Sequence, residues 1–379
     1  MNDFNDIPFD DDPFIKSLSY KASVKRLPFS ATFELTHRCN FDCKMCYVKM
    51  KENVASLFGK VKSADEWLDM GRRIRDAGVL TLILTGGECL SFPDFDKLYT
   101  ELHKMGFLLI LMTNGSLMNG EYEKLFAKYP PYKVHLSLYG ASADTYGKIN
   151  KNPDGFEKTL NGIRAFKNFC KKTSLNFPLT KENINDYPEM AEIAKSFYLP
   201  FRQSAIADTH RCGAEFSNIT EVRLSPTQSA FLNYFDYKEY FLRAEQMEKI
   251  ENKIAAEGII GIPREKPVEK PRCKASYMAA AITWNGEMRA CISMRGYFVN
   301  PFETGFEAAW ERLSASSDIM FGLNEKCKTC GYCDLCRCCP ARTVPDGSLG
   351  TKTNDYICEY TYAEYLLRGE LETEKTSMA

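Results

Sequence analysis

The sequence predicts an α/β chain, a partial (β/α)6 TIM-like barrel followed by a smaller cysteine-rich C-terminal domain, and three observations predict it. Six apolar runs of strand length alternate with amphipathic stretches. Glycines and polar residues follow several of those runs at their carboxyl ends. The 379 residues, 44% of them hydrophobic, suffice for one barrel-sized core plus an extension. Consecutive βα units favour a parallel sheet, and barrels of this kind place their chemistry at the carboxyl ends of the strands.

Taken in order, residues 1–29 read as an N-terminal tail or cap, with Pro8, Pro13 and Pro28 and no sustained period. The barrel spans 30–225. Its candidate strands are Thr32 to Thr36, Val79 to Thr85, Phe107 to Thr113, Lys133 to Tyr139, Ser174 to Thr180 and Phe201 to Ile206. Between them lie candidate helices Ala64 to Asp76, Asp94 to Lys104, Glu121 to Lys128, Gly155 to Lys171 and Tyr187 to Phe197, with apolar residues every three or four positions. Residues 226–272 read as a helical bridge and linker. Its aromatics Phe231, Tyr234, Phe235, Tyr240 and Phe241 read as packing, and Pro263, Pro267 and Pro271 mark the boundary. Residues 273–360 form the cysteine-rich domain and 361–379 a C-terminal tail.

Composition excludes several classes. Lys and Arg number 49 against 50 Asp and Glu, a net charge of −1 with no long basic run, which indicates neither nucleic acid nor a membrane surface as partner. The acidic first residues do not resemble a signal peptide and no stretch reaches membrane-spanning length, so a cytoplasmic protein is expected. In a reducing compartment the 15 cysteines read as thiolate ligands rather than disulfides. Cys89, Cys170 and Cys212 stand apart, and lone cysteines are more often buried hydrophobes. The others fall in or beside two groups.

The first group is Cys39, Cys43 and Cys46, a C-x3-C-x2-C run just after the first strand. Three thiolates on one loop can hold an iron-sulfur cube by three corners, leaving one iron open to a bound molecule. The competing reading is zinc completed by His37, but zinc loops pair a C-x2-C with a second, distant pair. The second strand ends in Thr85-Gly86-Gly87-Glu88, two glycines that let backbone approach a ligand and a carboxylate that can pair with an ammonium. The third ends in the turn Thr113-Asn114-Gly115. On the fourth, the two-residue period puts His135, Ser137 and Tyr139 on one face, expected to be the lumen, with His135 equally well a core histidine. Thr180 and Asn183 sit at the same level after the fifth strand, where helix capping explains them as well as ligand binding does.

This constellation, with Tyr47 following the last cysteine, resembles the radical S-adenosylmethionine (SAM) enzymes. The resemblance implies a 4Fe-4S cluster on Cys39, Cys43 and Cys46, whose open iron is chelated by the amine and carboxylate of SAM. It implies that Gly86, Gly87 and Glu88 bind the SAM amino group, that Asn114 approaches its carboxylate or ribose, and that Ser137 contacts it. Cys89 stands where the family often has proline. Reduction of the cluster would cleave SAM to methionine and a 5′-deoxyadenosyl radical, which takes hydrogen from an unactivated carbon.

The second group runs Cys273, Gly286-x4-Cys291, Cys327-x2-Cys330-x5-Cys336-x2-Cys339, Cys358. It resembles the SPASM extension of radical SAM enzymes, which carries two auxiliary 4Fe-4S clusters, for three in all. The family pattern implies Cys327, Cys330, Cys336 and Cys358 for the outer cluster and Cys273, Cys291 and Cys339 for the inner. The family usually has three residues where two separate Cys336 from Cys339, so Cys338 or Cys339 could be the ligand. Cys333 also completes a ferredoxin-like C-x2-C ladder. The inner cluster then has an open iron or recruits Cys338 or Cys333.

SPASM-bearing relatives mostly crosslink or oxidise ribosomally made peptides or proteins, so a peptide substrate and an external flavodoxin or ferredoxin are the implied partners. Sulfatase maturases place an aspartate base after the cysteine of the Gly-x4-Cys element. Here that position is Ile292, with Asp334 or Glu287 as substitutes. Only 38 residues precede Cys39, too few for a winged-helix leader-binding domain, which implies leader binding by the barrel surface or by a separate protein. A small-molecule radical dehydrogenase, a porphyrin-modifying enzyme and a non-catalytic iron-sulfur electron carrier are the alternatives.

Overall fold

The structure, a computed structural model, describes residues 12–205, 219–264, 275–294, 296–320, 325–336, 341 and 355–377. Its barrel half begins with α1 (Pro13–Lys25) and β1 (Ser30–Glu34), then α2 (Glu52–Ala55), α3 (Ala64–Asp76) and β2 (Thr81–Thr85). There follow α4 (Phe95–Lys104), β3 (Leu108–Thr113), α5 (Gly120–Lys128) and β4 (Lys133–Ser137). It continues with α6 (Ala143–Asn150), α7 (Gly155–Phe169), β5 (Thr173–Pro178), α8 (Tyr187–Ser196) and β6 (Phe201–Ser204). All six predicted strands are present and pair in parallel in sequence order.

The sheet has eight strands rather than six, in the order β6-β5-β4-β3-β2-β1-β7-β8. β7 (Ala279–Ile282) lies parallel to β1, and β8 (Met288–Arg289) returns antiparallel to β7. The cysteine-rich half therefore shares the barrel's sheet. A four-residue strand of three alanines and an isoleucine gave little period to read, and its partner is distant in sequence.

Alternation along the strands sorts the two faces. Leu82, Leu84, Leu109, Leu111, Val134, Leu136, Leu175 and Phe177 pack under the helices with Trp67, Leu98, Leu102, Phe126, Ile163 and Phe166. The opposite, lumenal face carries Ile83 beside Ile110, then Met112, His135 and Ser174 in one row, and Ser137 beside Asn176 in the next. α3 starts at a reciprocal cap in which Ser63 and Glu66 satisfy each other's backbone N–H.

The segments read as an N-terminal tail or cap and a C-terminal tail both carry helices. α1 begins at Asp12, whose Oδ1 accepts from Phe14 N at 2.8 Å, and Pro13 suits its first turn. Its buried stripe is Ile15, Ser19, Ala22 and Ser23, half of it serine, so no apolar period was visible. With Phe29 and Met278 it packs below the sheet. Trp310 Nε1 donates to Arg26 O at 3.0 Å, joining the end of α1 to the helix Phe306–Met320. At the other end a single helix, Asp355–Ser377, runs through the position where a tail was placed at 361. Tyr362, Ala363 and Leu367 bury its inner stripe, and Tyr356 bonds Ser229 of the helix Pro226–Tyr234 at 2.7 Å. Among the described residues no helix is long and apolar enough to cross a membrane.

Candidate functional site

The loop with Cys39, Cys43 and Cys46 leaves the carboxyl end of β1, and backbone pairing with the β2 side continues into it. Leu35 N donates to Thr85 O (2.9 Å), Gly87 N to Thr36 O (2.6 Å) and Glu88 N to Arg38 O (2.9 Å). A Cβ on Gly87 would stand 2.2 Å from Arg38 O, and one on Gly86 2.7 Å from Thr36 O. The backbone these glycines admit is that of the cysteine loop itself. On its far side, α6 accepts Asp42 N through Asn150 O (3.0 Å) and Lys44 N through Ile149 O (3.1 Å). Phe41 is buried, edge-on to Tyr139 and Tyr146, over the bare Gly155 that opens α7. The Lys49 ammonium closes the loop by donating to Phe41 O and pairing with Asp42 at 3.4 Å.

Backbone N–H groups point at the sulfurs, Phe41 N at Cys39 Sγ (3.3 Å) and Lys49 N at Cys46 Sγ (3.1 Å), and the Tyr139 hydroxyl reaches Cys43. Burial pushes the Cys39 thiol up to about 12, with Glu88 adding to it. Burial likewise raises Cys43, then its neighbours Cys46 and Cys39; Cys46 is raised by burial against the Lys49 and Val48 N–H groups. Thiols raised in this way give up protons when a metal binds, so metal binding there is pH-dependent. Among the described residues no three ligating side chains converge as they would on a single ion. A cube needs its ligands at separate corners, and three neighbouring thiols with N–H donors suit that demand.

Glu88 is buried and ties the ends of β2 and β3 together. Its Oε1 accepts from Thr113 Oγ1 (2.6 Å) and Leu90 N (3.0 Å), and its Oε2 accepts from Asn114 N (2.8 Å). Burial raises its pKa, opposed by those hydrogen bonds. Oε2 keeps a lone pair for a further donor. Asn114 belongs to a closed ring: its Nδ2 donates to Asn40 Oδ1 (3.0 Å), Asn40 Nδ2 to Ser116 Oγ (2.7 Å) and Ser116 Oγ to Asn114 Oδ1 (2.6 Å). Asn114 Nδ2 also lies 3.8 Å from Cys39 Sγ. Thr159 Oγ1 of α7 donates to Asn114 O (3.2 Å), and Gly162 lets that helix approach the Gly115 turn. Asn40, Ser116 and Thr159 were not singled out in the sequence. A lone polar residue beside a cysteine carries no periodic signal, and their partners are 76 and 45 positions away.

The structure thus brings Gly86, Gly87, Glu88 and Asn114 to the cysteine loop. Ser137 lies on the lumenal face opposite Asn176, beside Tyr139, whose hydroxyl it contacts. His135 is also lumenal but buried, with Nδ1 2.7 Å from Ser174 Oγ, and burial lowers its pKa to about 3. It is a neutral core imidazole. Asn183 Oδ1 accepts from Thr180 N (2.7 Å) and its Nδ2 donates to Tyr139 O (2.8 Å), so this pair fastens the turn after β5 to the end of β4. His37 faces Glu52 (Nε2 3.7 Å) and the edge of Trp284 (4.7 Å between centroids). Cys89 and Cys170 are buried, as lone cysteines usually are, and Cys212 lies outside the described residues.

In the C-terminal half, Cys327, Cys330 and Cys336 act electrostatically on Cys358, which burial and their proximity push up to about 12. Cys327 is raised by burial and then by Cys336 and Cys330. The helix Asp355–Ser377 thus brings Cys358 near Cys327, Cys330 and Cys336. The linker end supports the same segment, Gly331 N donating to Ile262 O (2.7 Å) and Arg264 N to Thr329 O (2.9 Å). Cys291 is partly buried near β8, whereas Cys273, Cys338 and Cys339 lie outside the described residues. Neither substitute base is free: Asp334 pairs with Arg264 at 2.8 Å and Glu287 with Arg289.

Residues 33–194 match the family described as the radical SAM superfamily. The chain carries a radical SAM domain. The chain is similar to the antilisterial bacteriocin subtilosin biosynthesis protein AlbA of Bacillus subtilis, 25% identical over 82% of this chain and 67% of that protein. It is also similar to the AdoMet-dependent heme synthase of Methanosarcina barkeri, 24% identical over 90% of this chain and 98% of that one. Among solved structures, Streptococcus suis SuiB bound to precursor peptide SuiA superposes with a TM-score of 0.62 at 18% identity, over 91% of this chain and 78% of that one. This likeness shows that the barrel and its C-terminal half share that fold.

Proposed function

We propose that this protein is a radical SAM enzyme that abstracts hydrogen from a ribosomally made peptide, forming a crosslink or oxidising a side chain. The observation that carries the reading is the coupling of the Cys39-Cys43-Cys46 loop to the ends of β2 and β3 through Glu88, Asn114 and Asn40. Cys39, Cys43 and Cys46 would hold a 4Fe-4S cluster, which when bound would supply the one-electron reduction that splits SAM into methionine and a hydrogen-abstracting 5′-deoxyadenosyl group. The chain's residues do the rest. Glu88 Oε2 is placed to accept the SAM ammonium, and the Asn114 ring to fix its carboxylate side. Ser137, on the lumenal face of β4, would contact SAM from that side. The lumen walls hold the target carbon and exclude water, so position decides which hydrogen leaves.

Cys327, Cys330, Cys336 and Cys358 are assigned to one auxiliary 4Fe-4S cluster, and Cys273, Cys291 and Cys339 to a second. Such clusters would take up the electron released when the substrate radical becomes product, or would anchor the substrate. A flavodoxin or ferredoxin supplies the first electron, and leader recognition falls to the barrel surface or to a separate protein. The likeness to AlbA favours a peptide substrate. The end-to-end match with the heme synthase favours a second reading, a porphyrin substrate. The anaerobically reconstituted protein, given SAM and dithionite, should show substrate-stimulated 5′-deoxyadenosine with a mass change in a short peptide encoded beside its gene. Stimulation by an iron porphyrin instead would replace the peptide reading with the second one.

A further inference from the structure

We infer that residues 51–62, beside the cysteine loop, are the docking surface for a small acidic electron-transfer protein. The inference rests on the radical SAM reading above, because that chemistry needs one electron delivered from outside to the cluster held by Cys39, Cys43 and Cys46.

Charge is the first argument. Between Arg38 and Lys62 the chain carries Arg38, Lys44, Lys49, Lys51, Lys60 and Lys62 against Asp42 and Glu52, a net +4 within a chain of net −1. Several of these cations are used internally: Lys44 on Glu182, Lys49 on Asp42, Lys62 on Glu66 and Arg38 on Glu52. Lys51 and Lys60 are exposed and make no ion pair among the described residues. Beside them Leu57 is 81% exposed and Phe58 38%, which gives the patch an apolar centre between two uncompensated positive charges.

Anchoring is the second. The segment is fastened at both ends, so what docks on it is held at a fixed place relative to the cluster. Arg38, the residue before Cys39, grips Glu52 of α2 through Nε (3.0 Å) and Nη2 (2.9 Å). At the other end Asn285 Nδ2 donates to Phe58 O (2.8 Å) and Lys62 N to Trp284 O (3.0 Å), both on the turn between β7 and β8. A cleft of about 430 Å³ lies alongside, lined by His37, Arg38, Glu52, Lys60, Lys62 and Trp284 among others. Transfer of one electron from the reduced carrier to the cluster oxidises the first and reduces the second by one unit each. Its rate depends on how close the carrier sits, and a complementary patch adjoining Cys39 gives both encounter and proximity.

The test uses Lys51→Glu with Lys60→Glu in the full-length, anaerobically reconstituted protein, Lys253→Glu as a control on a distant exposed helix, and a reduced low-potential acidic ferredoxin as probe. The double variant should weaken ferredoxin binding in calorimetry at low salt about tenfold and slow ferredoxin-driven 5′-deoxyadenosine formation by a similar factor. Dithionite-driven formation and the Lys253→Glu control should be unchanged, and high salt should erase the difference. Unchanged ferredoxin binding overturns the inference. So does an equal loss with dithionite, which would place the defect in the cluster loop, and so does loss of peptide binding with ferredoxin binding intact, which would make the patch a peptide surface. Absence of 5′-deoxyadenosine with dithionite in the unaltered protein would instead refute the radical SAM reading itself.

Discussion

Gly87 and Arg38 meet backbone to backbone: a Cβ on the glycine would stand 2.2 Å from the arginine carbonyl, next to the first cysteine of the loop. No side chain can be accommodated without moving that loop away from β2. Gly87→Ala is therefore expected to destabilise the fold by roughly 2–3 kcal/mol, the range of overpacking with backbone displacement. Iron bound at the N-terminal loop should fall while the C-terminal iron is retained. Thermal melts and iron counts check it.

Ser116 closes the hydrogen-bonded ring with Asn40 and Asn114. Ser116→Ala leaves the Asn40 amide without its acceptor and frees Asn114 to turn. A lost buried hydrogen bond of about 1–1.5 kcal/mol corresponds to roughly tenfold weaker SAM binding with iron content unchanged. Equilibrium dialysis with labelled SAM measures it, and unchanged affinity would show that the ring does not position the cofactor.

His135 gives a pH signature. Burial, with Lys133 and Arg202 nearby, lowers its folded pKa to about 3. Below the ordinary histidine value of about 6.5 the unfolded chain takes up a proton that the folded chain refuses, so stability falls as pH drops and the loss continues to about pH 3. The wild-type protein should lose up to about 1.4 kcal/mol more per pH unit than His135→Gln across that window. Denaturant titrations of both proteins from pH 7 to 4 give the comparison. Parallel curves would mean the imidazole is solvated.

Cys358 sits on a helix otherwise held by packing, through Tyr356 on Ser229 and the buried Tyr362 and Leu367. On the proposed assignment of Cys358 to an auxiliary cluster, Cys358→Ser should therefore preserve the helix while removing one ligand. The iron count should fall by up to one cluster, with the SAM-responsive cluster intact. Loss of the SAM response would contradict the separation of the two groups.

Much of the barrel was legible because its strands and helices are long enough to show a period. Thr81–Thr85 is buried throughout and Ala64–Asp76 carries both a clear stripe and a cap. The three-cysteine loop and Gly86-Gly87-Glu88 were legible because the spacing itself is chemical. What escaped depends on partners far apart in sequence. β7 is recognisable only beside β1, α1 hides its inner face in serines, and Asn40 acquires a role only once Ser116 is folded against it. The glycines after β2 were expected to admit a ligand, and only the fold reveals that they first admit the loop.

The most direct measurement is electron-nuclear double resonance on the reduced protein with SAM labelled by nitrogen-15 at its amino group. An iron left open by Cys39, Cys43 and Cys46 predicts a nitrogen hyperfine coupling to the cluster that vanishes in Cys43→Ala. Full iron loading without any such coupling, or zinc in the N-terminal loop, would contradict the account.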